Sequence, residues 1–466
     1  MRRGLSRWAA ALLALIAAIP TGAAAQNAAV PRIEFEKYTL PNGLEVILHE
    51  DRSVPLVAVN TWYHVGSGDE RVGRTGFAHL FEHIMFMGSQ HVPVGAFDQW
   101  LESAGANNNG STWFDRTNYF EWMPSNALPL ALWLDADRMG WLLPTMDQQK
   151  LDVQRDVVKN ERREGVDNVP YGRAYETILK AVFPQGHPYS WEAIGSMEDL
   201  SAASLEDVKG FFRTYYTPNN ATLVIAGDFD RDSVKTWVQR FFGNIPRGPE
   251  MPPRPAPAAF TVPRDTFLVL EDQVQLPRVY EAWHTVPIFS ADDAALDLLS
   301  YVIAGDRNSR LYQRLVYDMQ IAQEVEARHE SYRLDGFLQL SVTPKPGTSP
   351  ARIALLVNDE IQKLILRGVS DRELQRAKNT RRAALLGNLA SVRDKADLLN
   401  SYNYIAGTPD YVQRDAERYD RVTAADMQRV AREYLGKPRV VLTIVPEGKK
   451  NMMVNAMGTT GGGGGR

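Results

Sequence analysis

The chain has 466 residues, 44% of them hydrophobic and 23% charged, which is a size for two domains and the composition of an ordinary globular protein. Its 52 basic and 56 acidic residues nearly balance, so it has no electrostatic reason to seek nucleic acid or anionic lipid. It has no cysteine, which excludes disulfides and thiolate metal sites and leaves histidines and carboxylates as the only strong metal ligands.

The chain opens with Arg2, Arg3 and Arg7, an apolar run from Trp8 to Ile19, and Ala23-Ala24-Ala25. That is the layout of a secretory signal peptide over residues 1–25. The run is shorter than the roughly 20 residues a spanning helix needs. Cleavage leaves 49 of the 52 basic residues against 56 acidic ones, a net charge of −7. The expected product is exported, periplasmic and without stable membrane insertion.

Residues 33–62 read as strands, with Leu40-Pro41-Asn42-Gly43 as a turn between them. Residues 74–88 read as a helix, with Phe77, Leu80, Phe81 and Ile84 at helical spacing. Residues 125–165 read as mostly helical, broken near Pro144, with Val157 and Val158 expected to pack inward. Thr222 to Ala226 reads as a buried strand. Arg247 to Pro257 is rich in proline and marks a linker, placed at 249–262, between an N-terminal domain at 33–248 and a C-terminal domain at 263–448. The two halves close alike. Asp207, Tyr215 and Leu223 recur as Asp426, Tyr434 and Leu442 at one offset of 219, the sign of a diverged repeat. A glycine-rich tail, 458–466, is expected to be disordered.

His79-Leu80-Phe81-Glu82-His83 carries the chemistry. On a helix, positions i and i+4 share a face, so both imidazoles can reach one ion. Glu82 borders that face, where a carboxylate can take a proton from water on the metal without being a ligand. Zinc in such a site lowers the pKa of water to about 7. This order of residues is the inverse of the commoner zinc-protease motif. A catalytic site also needs a third protein ligand. Gln154 to Glu161 is a helical segment that offers candidates.

Gly76-x-x-His79-x-x-Glu82-His83, with Asn160-Glu161 following, resembles the pitrilysin/insulinase family of zinc peptidases. The resemblance continues through Asn109-Gly110-Ser111-Thr112, Asp115-x-Thr117-x-Tyr119 and Thr217-Pro218-Asn219-Asn220, and spans both halves. It implies an α+β fold of two homologous domains, each an antiparallel sheet with helices packed on it, enclosing a chamber. It implies one Zn²⁺ per chain held by His79, His83 and Glu161, with Glu82 as general base. It implies that residues 107–113 form an edge strand to which a peptide substrate adds, with Asn109, Gly110 and Ser111 as binding candidates. Their local alternative is a polar turn, since Asn107-Asn108-Asn109-Gly110 is also turn chemistry.

Two departures from the family pattern stand out. Gln154 occupies the position of an outer-shell glutamate, bringing an amide and no charge near the ligands. In the second half, the positions of an arginine and a tyrosine that hold substrate fall on Val316 and Gln323. The chain therefore resembles the metal-bearing subunit of a heterodimer, whose partner is a homologous subunit without His-x-x-Glu-His that supplies the arginine and tyrosine. Two other readings are a non-catalytic core subunit and a self-sufficient homodimer in which Arg314 or Tyr317 replaces the clamp. The six other histidines, His49, His64, His91, His187, His284 and His329, read as structural or surface residues.

Overall fold

The computed structural model describes residues 30–254 and 259–455. The expected signal peptide, residues 255–258 of the linker and the glycine-rich tail lie outside the described residues. Among the described residues no helix is long and apolar enough to cross a membrane.

In chain order the first half comprises β1 (Glu36–Thr39), β2 (Glu45–Glu50), β3 (Leu56–Tyr63), α1 (Phe77–Ile84), α2 (Ala96–Ser103), β4 (Asn107–Thr112), β5 (Thr117–Pro124) and α3 (Leu128–Trp141). It continues through α4 (Gln148–Arg162), α5 (Ala174–Val182), α6 (Met197–Ala202), α7 (Leu205–Tyr215), β6 (Ala221–Gly227) and α8 (Arg231–Phe242). The second half comprises β7 (Thr266–Asp272), β8 (Arg278–His284), α9 (Asp293–Ala304), β9 (Ala322–Ser331), β10 (Gly336–Pro344) and α10 (Pro350–Arg367). It ends with α11 (Asp371–Asn388), α12 (Val392–Ser401), α13 (Val412–Arg421), α14 (Ala424–Val430) and β11 (Val440–Pro446).

The strands form two sheets, ordered β1-β2-β6-β3-β5-β4 and β7-β11-β8-β10-β9. Setting β1 aside, the two orders correspond strand for strand, and β6 falls on β11 end to end at the offset of 219. Both sheets are antiparallel except for one pair, β2 with β6 and β7 with β11. These closing strands slip between two neighbours that oppose each other, so each must run parallel to one of them.

Each sheet packs one face on helices of its own half. In the first, Val46, Leu48, Val57, Val59, Leu223 and Ile225 join Phe77, Leu80, Phe81 and Ile84 of α1 in one core. In the second, Val279, Leu338, Leu340 and Val441 pack against α9 and α10. The opposite faces are covered by exchange. Ala174, Ile178, Leu179 and Val182 of α5 pack on Tyr280, Ala282, Leu442 and Ile444 of the second sheet. Val392, Ala396 and Leu399 of α12 pack on Ile47, Ala58, Val224 and Ala226 of the first. The offset of 219 places the end of α5 on the end of α12, so repeat-equivalent helices are traded between the halves.

The equivalent hairpins β4–β5 and β9–β10 meet at their tips. The rings of Phe114 and Tyr332 lie 4.7 Å apart. The Arg333 backbone N–H donates to Asp115 Oδ2 at 3.0 Å. The Tyr189 hydroxyl donates to Asp115 Oδ1 at 2.7 Å and accepts from the Leu334 N–H at 2.9 Å.

Candidate active site

Helix α1 starts abruptly. Gly76 precedes it with φ near +88°, a conformation that favours glycine, and a β-carbon there would lie 2.8 Å from the Ile194 carbonyl oxygen. The first turn is capped from outside: the Glu70 carboxylate accepts the N–H of Gly76 at 3.0 Å and of Ala78 at 2.8 Å, and the Trp191 indole N–H at 3.1 Å. A carboxylate at a helix N-terminus satisfies orphan donors and opposes the helix dipole. Burial pushes this carboxyl up to about 8, against the three donors that favour its anion. With Phe77, Ala78, Leu80, Phe81 and Ile84 buried, His79, Glu82 and His83 are left on the open side.

Helix α4 is capped by Asp147, whose side chain accepts the Lys150 N–H at 2.8 Å. It buries Leu151 and Val158. Val157, expected inside, is instead 42% exposed, as is Val153 at 46%. The buried residues of α4, Leu151, Val158 and Arg162, form a narrow stripe, and Val157, about 100° round the helix from Val158, falls outside it. At the end of α4 the chain widens into a π-turn, Arg163–Asp167, which begins two residues after Glu161. The buried Arg162 guanidinium donates to the Gly195 carbonyl at 2.6 Å and to Glu176 Oε2 at 2.8 Å. Gly195 in turn touches the Gly76 backbone. One loop thus ties the end of α4 to the start of α1.

Between these helices His79, His83 and Glu161 converge. Glu161 Oε2 lies 3.7 Å from His79 Nε2 and 3.2 Å from His83 Nε2. One donor atom from each lies within 4.8 Å of the others. Two ligands of a tetrahedral zinc with bonds of about 2 Å stand roughly 3.3 Å apart, so the spacing and the donor types fit that ion. Burial, and then the neighbouring His83, push His79 down to about 4, which keeps its ring neutral and able to ligate. The hydrogen bond with His83 lowers Glu161.

Glu82 stands beside the trio. Its Oε2 accepts the Thr112 hydroxyl at 2.7 Å. Burial raises its carboxyl, while the Thr112 hydrogen bond, His83 and Arg116 oppose that rise. Its side chain lies against Gly110 of β4.

Residues 107–112 form a strand rather than a turn, at the open edge of the first sheet. Tertiary pairing with β5 over six positions, Asn107 with Trp122 through Thr112 with Thr117, outweighs the local turn propensity. The Trp113 N–H bonds the Arg116 carbonyl at 2.9 Å. By antiparallel alternation, the main-chain groups of Asn109 and Ser111 then face β5, and those of Gly110 face the open edge. The Gly110 N–H is covered by the side chain of Asn109, whose Oδ1 accepts it at 2.8 Å. Arg116 braces the strand by donating to the Ser111 carbonyl at 2.8 Å. Asp397 of α12 stabilises the charge of Arg116 and accepts from Asn60 and from the Trp62 indole, both at 3.2 Å.

Gln154 lies on α4, and its amide donates to Met87 Sδ at 2.7 Å; the hydrogen bond it makes is to a thioether, not to a ligand. The Glu70 cap, the Arg162 tie and the Asp397 brace were absent from the sequence-based expectations. The nearest signals were an acid six residues before Gly76 and an arginine beside Glu161. Of the other histidines, His49 bonds the Glu34 carbonyl at 2.7 Å and His284 the Asp335 carboxylate at 2.7 Å. A second His/Asp cluster, Asp293, Asp297 and His329, lies in the other half. Its groups are engaged: His329 with Asp297 and Thr285, Asp293 with Arg418 and Ser331, and Asp297 with Tyr419.

In the second half, Val316 packs against the core. Arg314 is held by α10 through Asp359 at 2.6 Å and Glu360 at 3.2 Å. Tyr317 is exposed, and Gln323 is exposed on the edge strand β9.

Two family descriptions match the chain. "Insulinase (Peptidase family M16)" matches residues 45–189, which contain His79, Glu82, His83 and Glu161. "Peptidase M16 inactive domain" matches residues 202–381. The zinc protease PqqE of Helicobacter pylori is 30% identical over 414 residues, covering 86% of this chain and 90% of that protein. The crystal structure of a protease from Helicobacter pylori superposes with a TM-score of 0.82 at 26% identity, covering 89% of this chain and 100% of that one. A peptidase M16 inactive domain from Pseudomonas fluorescens shares the fold with a TM-score of 0.79 at 19% identity, covering 89% of this chain and 98% of that one. The chain is a member of the M16, or insulinase, family of peptidases, with zinc proteases among its relatives.

Proposed function

We propose that the protein is an exported zinc metalloendopeptidase that cuts peptides or unfolded segments, with one zinc per chain and with Glu82 as general base. The observation that carries this reading is the separation of roles on α1 and α4: three donors converge within 4.8 Å, while Glu82 stands beside them, tied to Thr112. When bound by His79, His83 and Glu161, zinc supplies Lewis acidity and makes water acidic near neutral pH.

The chain's own residues do the rest. The Glu82 carboxylate accepts the proton of the attacking water and returns it to the departing amine. The Thr112 hydroxyl fixes one of its oxygens and leaves the other for that transfer. A peptide adds along β4, where the outward main-chain groups of Gly110 bind it without reading side chains. To do so it takes the Gly110 N–H from the Asn109 carboxamide.

The clamp opposite the metal is not supplied by Val316, whose side chain has no donor, nor by Arg314, which α10 holds. We assign that role to a homologous subunit that lacks the metal motif and brings an arginine and a tyrosine. Val153 and Val157, exposed one helical turn apart on α4, offer it an apolar contact. The test is zinc analysis of the purified mature chain, with peptide hydrolysis measured alone and after mixing with such a subunit. Full activity of the homogeneous chain would overturn the partner assignment and leave the peptidase reading standing.

A further inference from the structure

The internal repeat has a place that is filled in one half and open in the other. In the first half α8 follows β6 and lies beside α3. Its Val234, Val238 and Phe242 join Val46 and Leu48 of β2 in the core. Arg231 pairs with Glu50 at 3.2 Å and Lys235 with Glu36 at 2.5 Å, which ties the helix over β1 and β2. At its far end Asn42, just ahead of β2, donates to the Phe242 carbonyl at 2.9 Å. Beneath α8 the strand is buried from Val46 to His49.

In the second half β7 takes the position of β2, β11 that of β6, and α10, after the β9–β10 hairpin, that of α3. The described residues after β11 hold no counterpart of α8, only a 3₁₀ turn at Lys450–Met452. The chain then returns over the sheet, and the Val454 N–H donates to the Thr443 hydroxyl at 3.1 Å. Beside Val454 a cavity of about 520 Å³ is left, lined by Phe267 of β7, Val441 of β11 and Leu355 of α10. Every residue of β7 is partly exposed, and Leu355 is 54% exposed. The end that corresponds to Asn42 and Phe242 carries Lys437 and Arg439 in the lining, just ahead of β11. Lys437 is exposed and in no ion pair among the described residues; Arg439 pairs with the buried Glu281 at 3.0 Å. Asp265, also in the lining, accepts the Arg439 backbone N–H on Oδ1 at 3.1 Å.

A helix laid as α8 lies would bring its last carbonyls, which lack partners within the helix, to Lys437 and Arg439, and cations are favoured at that end. An apolar floor with a charged rim also suits a docked amphipathic helix. We propose that a partner protein lays such a helix over β7 and β11 and against α10, with an apolar ridge spaced as in α8 and acidic residues near its C-terminal end. The tail beyond Asn455 does not fit: residues 456–466 offer only Ala456 and Met457 as apolar side chains, and no acid. The place lies in the half without the metal ligands, and the inference does not rest on the peptidase reading.

The probe is a synthetic peptide of α8, Asp230–Gly243, with Gln239→Glu and Arg240→Glu, two positions that are exposed in α8 and leave the ridge intact. A staple on its outer face holds it helical, since so short a helix is marginal in water. The peptide without the two substitutions, stapled alike, is the control. Fluorescence anisotropy reads the binding of each to the purified full chain. The acidic peptide should bind saturably, one per chain, and about tenfold more tightly than the control, the worth of two exposed charge contacts. Leu355→Arg, at an exposed position that leaves the fold intact, should weaken its binding by at least about tenfold. Lys437→Glu should abolish the preference between the two peptides. No saturable binding, or binding that Leu355→Arg leaves unchanged, overturns the docking site. Equal binding of the two peptides overturns the acidic chemistry assigned to the partner. Binding by a chain ending at Asn455 but not by the full chain gives the place to the tail and overturns the partner.

Discussion

Gly110 on the edge strand and Glu82 on α1 are in direct contact: a β-carbon built at Gly110 would lie 2.9 Å from Glu82 Cγ and 3.2 Å from its Oε1. The strand that would hold a peptide and the side chain that would move its proton are therefore set by one packing distance. Gly110→Ala should push the carboxylate aside with the fold and the zinc intact. A displacement of about 1 Å at a reacting group costs on the order of 10²-fold in rate. A drop of about 10- to 100-fold in kcat at unchanged zinc content is expected. An unchanged kcat would show that the contact has no part in the reaction.

The roles on α1 and α4 are separable by metal analysis. Glu161→Ala leaves two protein ligands, too few for a stable catalytic site, and should lose zinc and activity while keeping its fold. A Glu161→Ala protein with one zinc per chain would move the third ligand elsewhere, with Glu164 the next carboxylate along the chain.

Glu70 reaches the chemistry only through the helix it caps. Removing a capping side chain costs about 0.5–2 kcal/mol, and Glu70→Ala should lower thermal stability by that amount. Because α1 carries both imidazoles, zinc affinity should also fall, by about tenfold, as for other groups that orient ligands. Competition with a chelator measures it. Unaltered affinity would mean that α1 keeps its place without the cap.

Asp397 belongs to the second half but acts on the first. It accepts from Asn60 and Trp62 and offsets the charge of Arg116, which holds the Ser111 carbonyl. Asp397→Ala should cost about 1.5–3 kcal/mol, the range for hydrogen bonds to a charged group. It should also raise KM more than it lowers kcat, because β4 is the docking edge. Equal effects on both would argue for a purely structural role.

The strands within residues 33–62 and at Thr222 to Ala226, the broken helix near Pro144 and the repeat at an offset of 219 were legible because each is written in local pattern or in self-similarity; β5 and β7 to β10 were not assigned. The trade of α5 and α12 was not. An amphipathic stripe says that a helix is buried on one side and is silent about which sheet lies beneath it. Asn107 to Gly110 was ambiguous for a related reason: its local chemistry is that of a turn, and only pairing with β5 makes it a strand. Val157 was misplaced because α4 buries only a narrow stripe, Leu151, Val158 and Arg162, whose width the local sequence does not state. For Gln154, sequence position gives the neighbourhood on α4; the observed partner, Met87, lies 67 positions away.

The measurement that bears most directly on the account compares the wild-type chain with Glu82→Gln, each of known zinc content, in peptide hydrolysis with the homologous metal-free subunit present. The account predicts one zinc per chain in both proteins. It predicts hydrolysis by the wild type and a loss of about 10²–10⁴-fold in Glu82→Gln, the usual worth of a general base. Zinc lost from Glu82→Gln, or hydrolysis that persists in it, would contradict the account.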